Sequence, residues 1–225
     1  MGRWGYRLFE ADNDIDIACE LNHALVLNEG AESLRLSHIV HQTDMLAPPG
    51  ARDYFQTEEY RLELDNLIVT VRDQLDSGLG EKLFDKYHAR ENEFQGQYRL
   101  TLVGALMMRA GAKIKEEYFQ HLRDLVPKID CRPGFALPIN DLGFRGPGKA
   151  QFLAALDNYQ PGTPRDYEEP SCFYCGKVRA DLGNTPKKCG RCERAWYCGS
   201  DCEKAHWKVH KPLCKPLCEV TFLNV

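Results

Sequence analysis

Residues 172–214 read C-F-Y-C (172–175), thirteen residues, C-G-R-C (189–192), five residues, C-G-S-D-C (198–202) and, after seven more, H-K-P-L-C (210–214). Seven of the ten cysteines of the chain fall in this stretch. A C-x2-C pair closes a tight turn that aims two thiolates at one ion. The C-x3-C and H-x3-C pairs use the i,i+4 spacing of a helix for the same end. Eight soft or borderline donors are enough for two tetrahedral sites, and Zn²⁺ is the ion that favours four-coordinate sulfur and nitrogen ligation. Paired knuckles with a histidine at ligand spacing argue against a disulfide framework, as does the opening M-G-R-W-G-Y, which lacks an apolar signal segment. Spacing alone permits either sequential or interleaved pairing of the donors.

The segment resembles the MYND-type zinc finger. The resemblance is carried by Cys172, Cys175, Cys189, Cys192, Tyr197, Cys198, Cys202, Trp207, His210 and Cys214, and covers about one fifth of the chain. It implies an interleaved arrangement: one zinc on Cys172, Cys175, Cys198 and Cys202, the other on Cys189, Cys192, His210 and Cys214. His206, four residues from both Cys202 and His210, is a competitor by spacing, and is expected instead to be a surface histidine beside Trp207. The resemblance also implies a protein-interaction module. Several such fingers bind proline-containing peptides with a leucine core, through a Ser, a Gln and a Trp around the C-x3-C helix. The matching positions here are Ser200, Glu203 and Trp207. Glu203 departs from the pattern, because a carboxylate accepts hydrogen bonds and cannot donate them as an amide does. The Trp207 indole has two readings, a core ring that seals a small module or a peptide-facing one.

With every ligand position filled, neither zinc keeps the open position that catalysis needs, so both are expected to be structural. About forty residues bury too little apolar surface to fold alone, so metal binding and folding of the finger should be one event.

Outward from the finger, charge divides unevenly. Residues 1–170 hold 19 Lys/Arg against 28 Asp/Glu, whereas residues 171–214 hold 9 against 4. Two zinc ions bound by seven thiolates lower the finger's charge by about three, which leaves little basic excess for nucleic acid. An acidic body with this finger favours a protein or peptide partner. No apolar run is long enough to span a bilayer; residues 100–108 are about half the required length and lie between Arg99 and Arg109. Gly2 invites a lipidation reading, but Tyr6 stands where Ser or Thr is wanted. Reduced thiols holding zinc place the expected protein in the cytoplasm or nucleus.

Residues 1–165 are expected to form an α-helical domain. The finger is expected at residues 170–215 and a tail at 216–225, so the chain as a whole should be mainly α. Ile15, Ala18, Leu21 and Leu25 recur at helical steps, predicting a helix over 14–28. Further helices are predicted over 57–75, 80–91, 98–110, 114–125 and 149–159. The β-branched run Val69-Thr70-Val71 leaves a strand at 67–71 open. W-G-x3-F-E-x-D at residues 4–12 is similar to the start of uncharacterised fungal MYND proteins, a resemblance that brings no chemistry. Asp12, Asp14 and Asp16 fail as a calcium loop, with Ile17 where Gly is required, and read as acids stabilising a helix start. His38, His41 and Asp44 are spaced like metal ligands, although such spacings arise often by chance. The run from Gly143 to Lys149 matches G-x4-G-K, yet Ala150 lacks the hydroxyl for Mg²⁺ and Pro147 removes a phosphate-binding N–H; a Gly-rich helix entry is expected. Cys19 and Cys131 are expected to be buried thiols, and Cys218 a spare thiol or part of a strand.

The composite expectation is a non-enzymatic intracellular adaptor with two Zn²⁺ and a protein or proline-rich peptide partner. The alternatives are an activity in the helical domain or a nucleic-acid-associated regulator. Motifs of the SET methyltransferase domain in which such fingers also occur, N-H-S-C among them, are absent from the sequence.

Overall fold

The computed structural model of the chain describes residues 2–40, 52–132 and 143–216. His41, Asp44 and Cys218 lie outside these residues, and so do the readings that rest on them. The described residues form two compact units, each assembled from non-contiguous segments. One joins residues 14–122 to 159–165; the other joins residues 1–13, 123–158 and 166–225. The chain passes between the two units after residues 13, 122, 158 and 165, so residues 1–165 contribute to both.

The first unit is helical. It holds most of α1 (Asp12–Glu29), then α2 (Glu58–Gln74), α3 (Gly80–His88), α4 (Gly96–Ala110) and most of α5 (Glu116–Leu125). Helix α4 is buried on every face from Leu100 to Ala110, with the Arg109 side chain satisfied by donation to the Ile39 carbonyl at 2.9 Å, so it lies inside a bundle. Helices α2 and α3 pack on it, joined by a wide turn over Leu75–Leu79. The β-branched run at 69–71 lies within α2, not a strand, because Ile68 and Val71 are buried at helical spacing. Packing outweighs the weak β-propensity of a few residues. Asp14, on α1, is fully buried and accepts a hydrogen bond of 2.7 Å from the Tyr98 hydroxyl.

The second unit contains α6 (Gly146–Asn158), α7 (Arg179–Leu182), the strands β1 (Lys187–Lys188) and β2 (Trp196–Tyr197), and α8 (Ser200–His210). The strands pair antiparallel, Lys187 opposite Tyr197 and Lys188 opposite Trp196. Residues 2–13 lie across α6. The buried Gln151 amide accepts from the Leu8 N–H at 3.2 Å and donates to the Tyr167 carbonyl at 3.0 Å. Arg7 donates to the carbonyls of Glu168 and Glu169 at 3.0 and 2.9 Å. A linker-like composition at 160–170 therefore contains residues that hold the N-terminal segment in place.

The G-x4-G-K run is a helix entry, as expected. A Cβ on Gly148 would come 3.1 Å from the Tyr6 carbonyl oxygen, so glycine here permits close backbone approach. The Lys149 ammonium donates to the carbonyls of Pro127 and Ile129, both at 2.7 Å. Cys19 and Cys131 are exposed, contrary to expectation. Cys19 is on the outer side of α1, where helical position rather than residue type decides burial.

Candidate metal centre and peptide face

Each C-x2-C pair sits on a hydrogen-bonded turn. The Gly176 N–H donates to the Cys172 carbonyl at 2.8 Å, and the Glu193 N–H to that of Cys189 at 2.9 Å. Both turns need a residue in the left-handed region, supplied by Gly176 (φ 73°) and Glu193 (φ 53°). Strand β2 delivers Cys198 at its end, and α8 carries Cys202 in its first turn and His210 in its last. A single 3₁₀ turn, Lys211–Leu213, then swings Cys214 back. Helix α8 thus joins the two centres along one rigid axis.

The resulting clusters are interleaved in sequence. Cys172, Cys175, Cys198 and Cys202 form one, and Cys189, Cys192, His210 and Cys214 the other; within each, all four ligand atoms lie within 4.8 Å of one another. The Sγ atoms of Cys175 and Cys198 are 3.7 Å apart, those of Cys189 and Cys214 3.8 Å, and those of Cys198 and Cys202 3.2 Å. Cys192 Sγ lies 3.6 Å from His210 Nε2. Disulfides would need about 2.05 Å. A tetrahedral ion at the usual Zn–S distance of about 2.3 Å sets sulfurs about 3.8 Å apart, so the donor sets fit zinc in both size and chemistry. The sequential pairing that spacing left open is not the one seen.

The protonation chemistry of these groups points the same way. Burial, together with neighbouring thiols, pushes the Cys175 thiol up to about 11 and that of Cys214 up to about 12. Burial also raises Cys202. At Cys172 and Cys189 burial is outweighed by backbone N–H donors, and both thiols are lowered. Crowded thiolates repel one another unless a cation sits among them, and zinc reverses the penalty by deprotonating its ligands outright. Burial lowers His210 and keeps its imidazole neutral, the form that ligates. The finger's core is largely the ligands themselves: Cys172, Cys189, Cys192 and Cys214 are buried with Phe173, Ala195 and Tyr197. Two structural zinc ions are its cofactors.

His206 belongs to neither cluster. It is half-buried rather than on the surface, and its Nδ1 lies 2.9 Å from the Tyr197 hydroxyl. Trp207 is 39% exposed and meets the His210 ring edge-on at a centroid distance of 5.8 Å. Ser200 is exposed in the first turn of α8, Glu203 is half-buried one turn on, and Trp207 follows a turn later. Sequence reasoning missed the neighbouring cavity of about 370 Å³, lined among others by Tyr6, Phe173, Tyr174, Val209 and Leu213. Tyr6 reaches the finger core from the N-terminal segment, edge-on to Phe173 at 5.8 Å with the Arg194 guanidinium over its ring. No local signal in W-G-Y-R announces this role.

The family model of the MYND finger matches residues 172–214. The chain is 45% identical over 83 residues to the histone-lysine N-methyltransferase ASHR1 of Arabidopsis thaliana, covering 32% of this chain and 16% of that protein. It is 33% identical over 86 residues to the human N-lysine methyltransferase SMYD2, and 48% identical over 87 residues to SMYD2-B of Xenopus laevis, each alignment covering 33% of this chain and 19% of the relative. The chain thus aligns with less than a fifth of the length of these curated relatives, and the likeness is confined to the finger region. No solved structure matches. Among the described residues, no helix is long and apolar enough to cross a membrane. The stretch from Cys172 to Cys214 is a MYND finger, a protein-interaction domain, in a chain whose N-terminal region matches no family model.

Proposed function

We propose that the chain is an intracellular adaptor whose finger docks a proline-containing peptide on α8, and that it carries out no catalysis of its own. The observation that supports this reading is the exposed indole of Trp207, which leaves the core to the ligands and offers a flat aromatic face to a partner. Ser200 and Glu203 share its side of the helix at steps of seven and four residues. Val209 and Leu213, two and six residues further on, are exposed apolar side chains on another face that line the cavity, a second surface where an aliphatic side chain of the peptide would seat. Trp, with two polar groups toward the helix N-terminus, suits a proline ring and a neighbouring peptide group.

The test is binding of a proline-rich peptide array to the full zinc-loaded chain, compared with Trp207→Ala. A hot-spot aromatic is worth about 2 kcal/mol or more, or roughly a thirtyfold loss of affinity. Zinc content must stay equal in the two proteins. Binding of equal strength to both would move the interaction elsewhere on the chain.

A further inference from the structure

In the helical unit of residues 14–122, His88, Glu91 and His121 bring one ligand atom each to within 4.8 Å of one another. His88 ends α3, Glu91 lies in the turn after it, and His121 is on α5. Glu91 Oε2 is 2.7 Å from His121 Nε2 and 3.9 Å from His88 Nε2, and the two imidazole centroids are 4.1 Å apart. A hydrogen bond between Glu91 and His121 explains the shortest of these distances. It does not explain the second ring. The His88 side chain is 45% exposed and has water to turn to, yet it faces the same carboxylate oxygen beside another imidazole. Two protonated rings so close would repel, whereas neutral rings each offer a lone pair to a shared cation.

The cluster is the last of three regularly spaced rungs between α3 and α5. Lys115 Nζ meets Glu81 Oε2 at 2.7 Å in the first. In the second, the Tyr118 hydroxyl donates to Asp85 at 2.7 Å while its ring stacks on Phe84 at 4.0 Å. Steps of four and three residues along α3 (Glu81, Asp85, His88) and of three and three from Lys115 into α5 (Tyr118, His121) then set His88 and His121 together in the third. Phe84, fully buried, lies 6.0 and 6.4 Å from the two imidazoles and floors the site with an apolar surface. The donors are therefore placed by packing and are not gathered by chance on a mobile surface.

We propose that His88, Glu91 and His121 bind a third divalent ion of the zinc class, through three protein ligands with the fourth position open to solvent. Two imidazole nitrogens and one carboxylate oxygen form a donor set that zinc, cobalt and nickel accept. An ion about 2.0–2.1 Å from each donor sets them roughly 3.3 Å apart. That spacing falls between the two Glu91 distances and is reached by small side-chain rotations. The site uses none of the finger's ligands, and its open position distinguishes it from the two closed tetrads.

The experiment uses the untagged full chain with both finger sites already loaded with zinc. Titration with Zn²⁺ by calorimetry should show a third equivalent, and Co²⁺ added to the same protein should give visible ligand-field bands without thiolate charge-transfer bands. His88→Ala and His121→Ala should each weaken the third equivalent by at least about tenfold, since loss of even an outer-shell partner costs about 10–100-fold. Glu91→Gln should weaken it as well. His88 is exposed enough for its variant to fold, and unchanged helical circular dichroism would verify this. A titration that stops at two equivalents overturns the proposal. So does a third equivalent that survives both histidine variants, or cobalt absorption that carries thiolate bands.

Discussion

Gly176 lies so close to Ala150 that a Cβ on the glycine would stand 1.8 Å from the Ala150 carbonyl oxygen. The first zinc knuckle is therefore seated directly on the backbone of α6, twenty-six residues earlier in the chain. The same residue has a φ of 73°, so both its conformation and its surroundings demand glycine.

Gly176→Ala should destabilise this unit by about 2–4 kcal/mol, combining the left-handed strain with overpacking. All three tryptophans of the chain, Trp4, Trp196 and Trp207, lie in the unit that holds the finger. Urea unfolding followed by tryptophan fluorescence therefore reports on it separately. Gly190→Ala, where a Cβ would meet nothing within 4 Å, is the control and should stay within about 0.5 kcal/mol of wild type.

Gln151 serves two backbone groups at once, the Leu8 N–H and the Tyr167 carbonyl. Gln151→Leu keeps much of the volume and removes both partners. At about 1–3 kcal/mol for each buried polar group left unpaired, the cost should be about 2–6 kcal/mol. The same fluorescence transition measures it, and faster proteolysis at residues 2–13 should accompany the loss.

Cys202→Ser removes a ligand from the cluster that α8 enters first. Native mass spectrometry should show the protein fall from two finger zinc ions toward one. The tryptophan transition should move to lower urea, because metal binding and folding of a small zinc module are one event. Far-ultraviolet circular dichroism should keep the greater part of its helical signal, since α1 to α5 contain none of the eight ligands. Collapse of the whole spectrum would show that the two units do not fold independently.

Glu203→Gln supplies the amide that the carboxylate lacks. Under the adaptor reading, affinity for proline-containing peptides should rise about two- to tenfold, the worth of one net hydrogen bond of about 0.5–1.5 kcal/mol. Peptide titration of both proteins at equal zinc content checks it. A fall in affinity would mean that the partner presents a cation or donor to Glu203, and that the peptide class differs from the proline-rich one.

What the sequence determined by itself was everything carried by short spacing. Eight donors, two knuckles and the helical periods around Leu21, Leu83 and Leu122 follow from turns and helices whose geometry is set within a few residues. The tertiary structure decided what distant segments do to one another. The interleaved ligand pairing, which spacing left open and the resemblance implied, has its physical reason in the fold, because α8 carries Cys202 and His210 to opposite ends of one rod. Only the fold seats Tyr6, Leu8 and Gln151 in the same unit as the finger, through contacts that span more than a hundred residues. His88 and His121, thirty-three residues apart, leave no motif, and become neighbours only when α3 and α5 lie rung by rung. Exposure of Trp207, Cys19 and Cys131 was likewise settled by packing, since a side chain's own hydrophobicity does not say which surface its neighbours will cover.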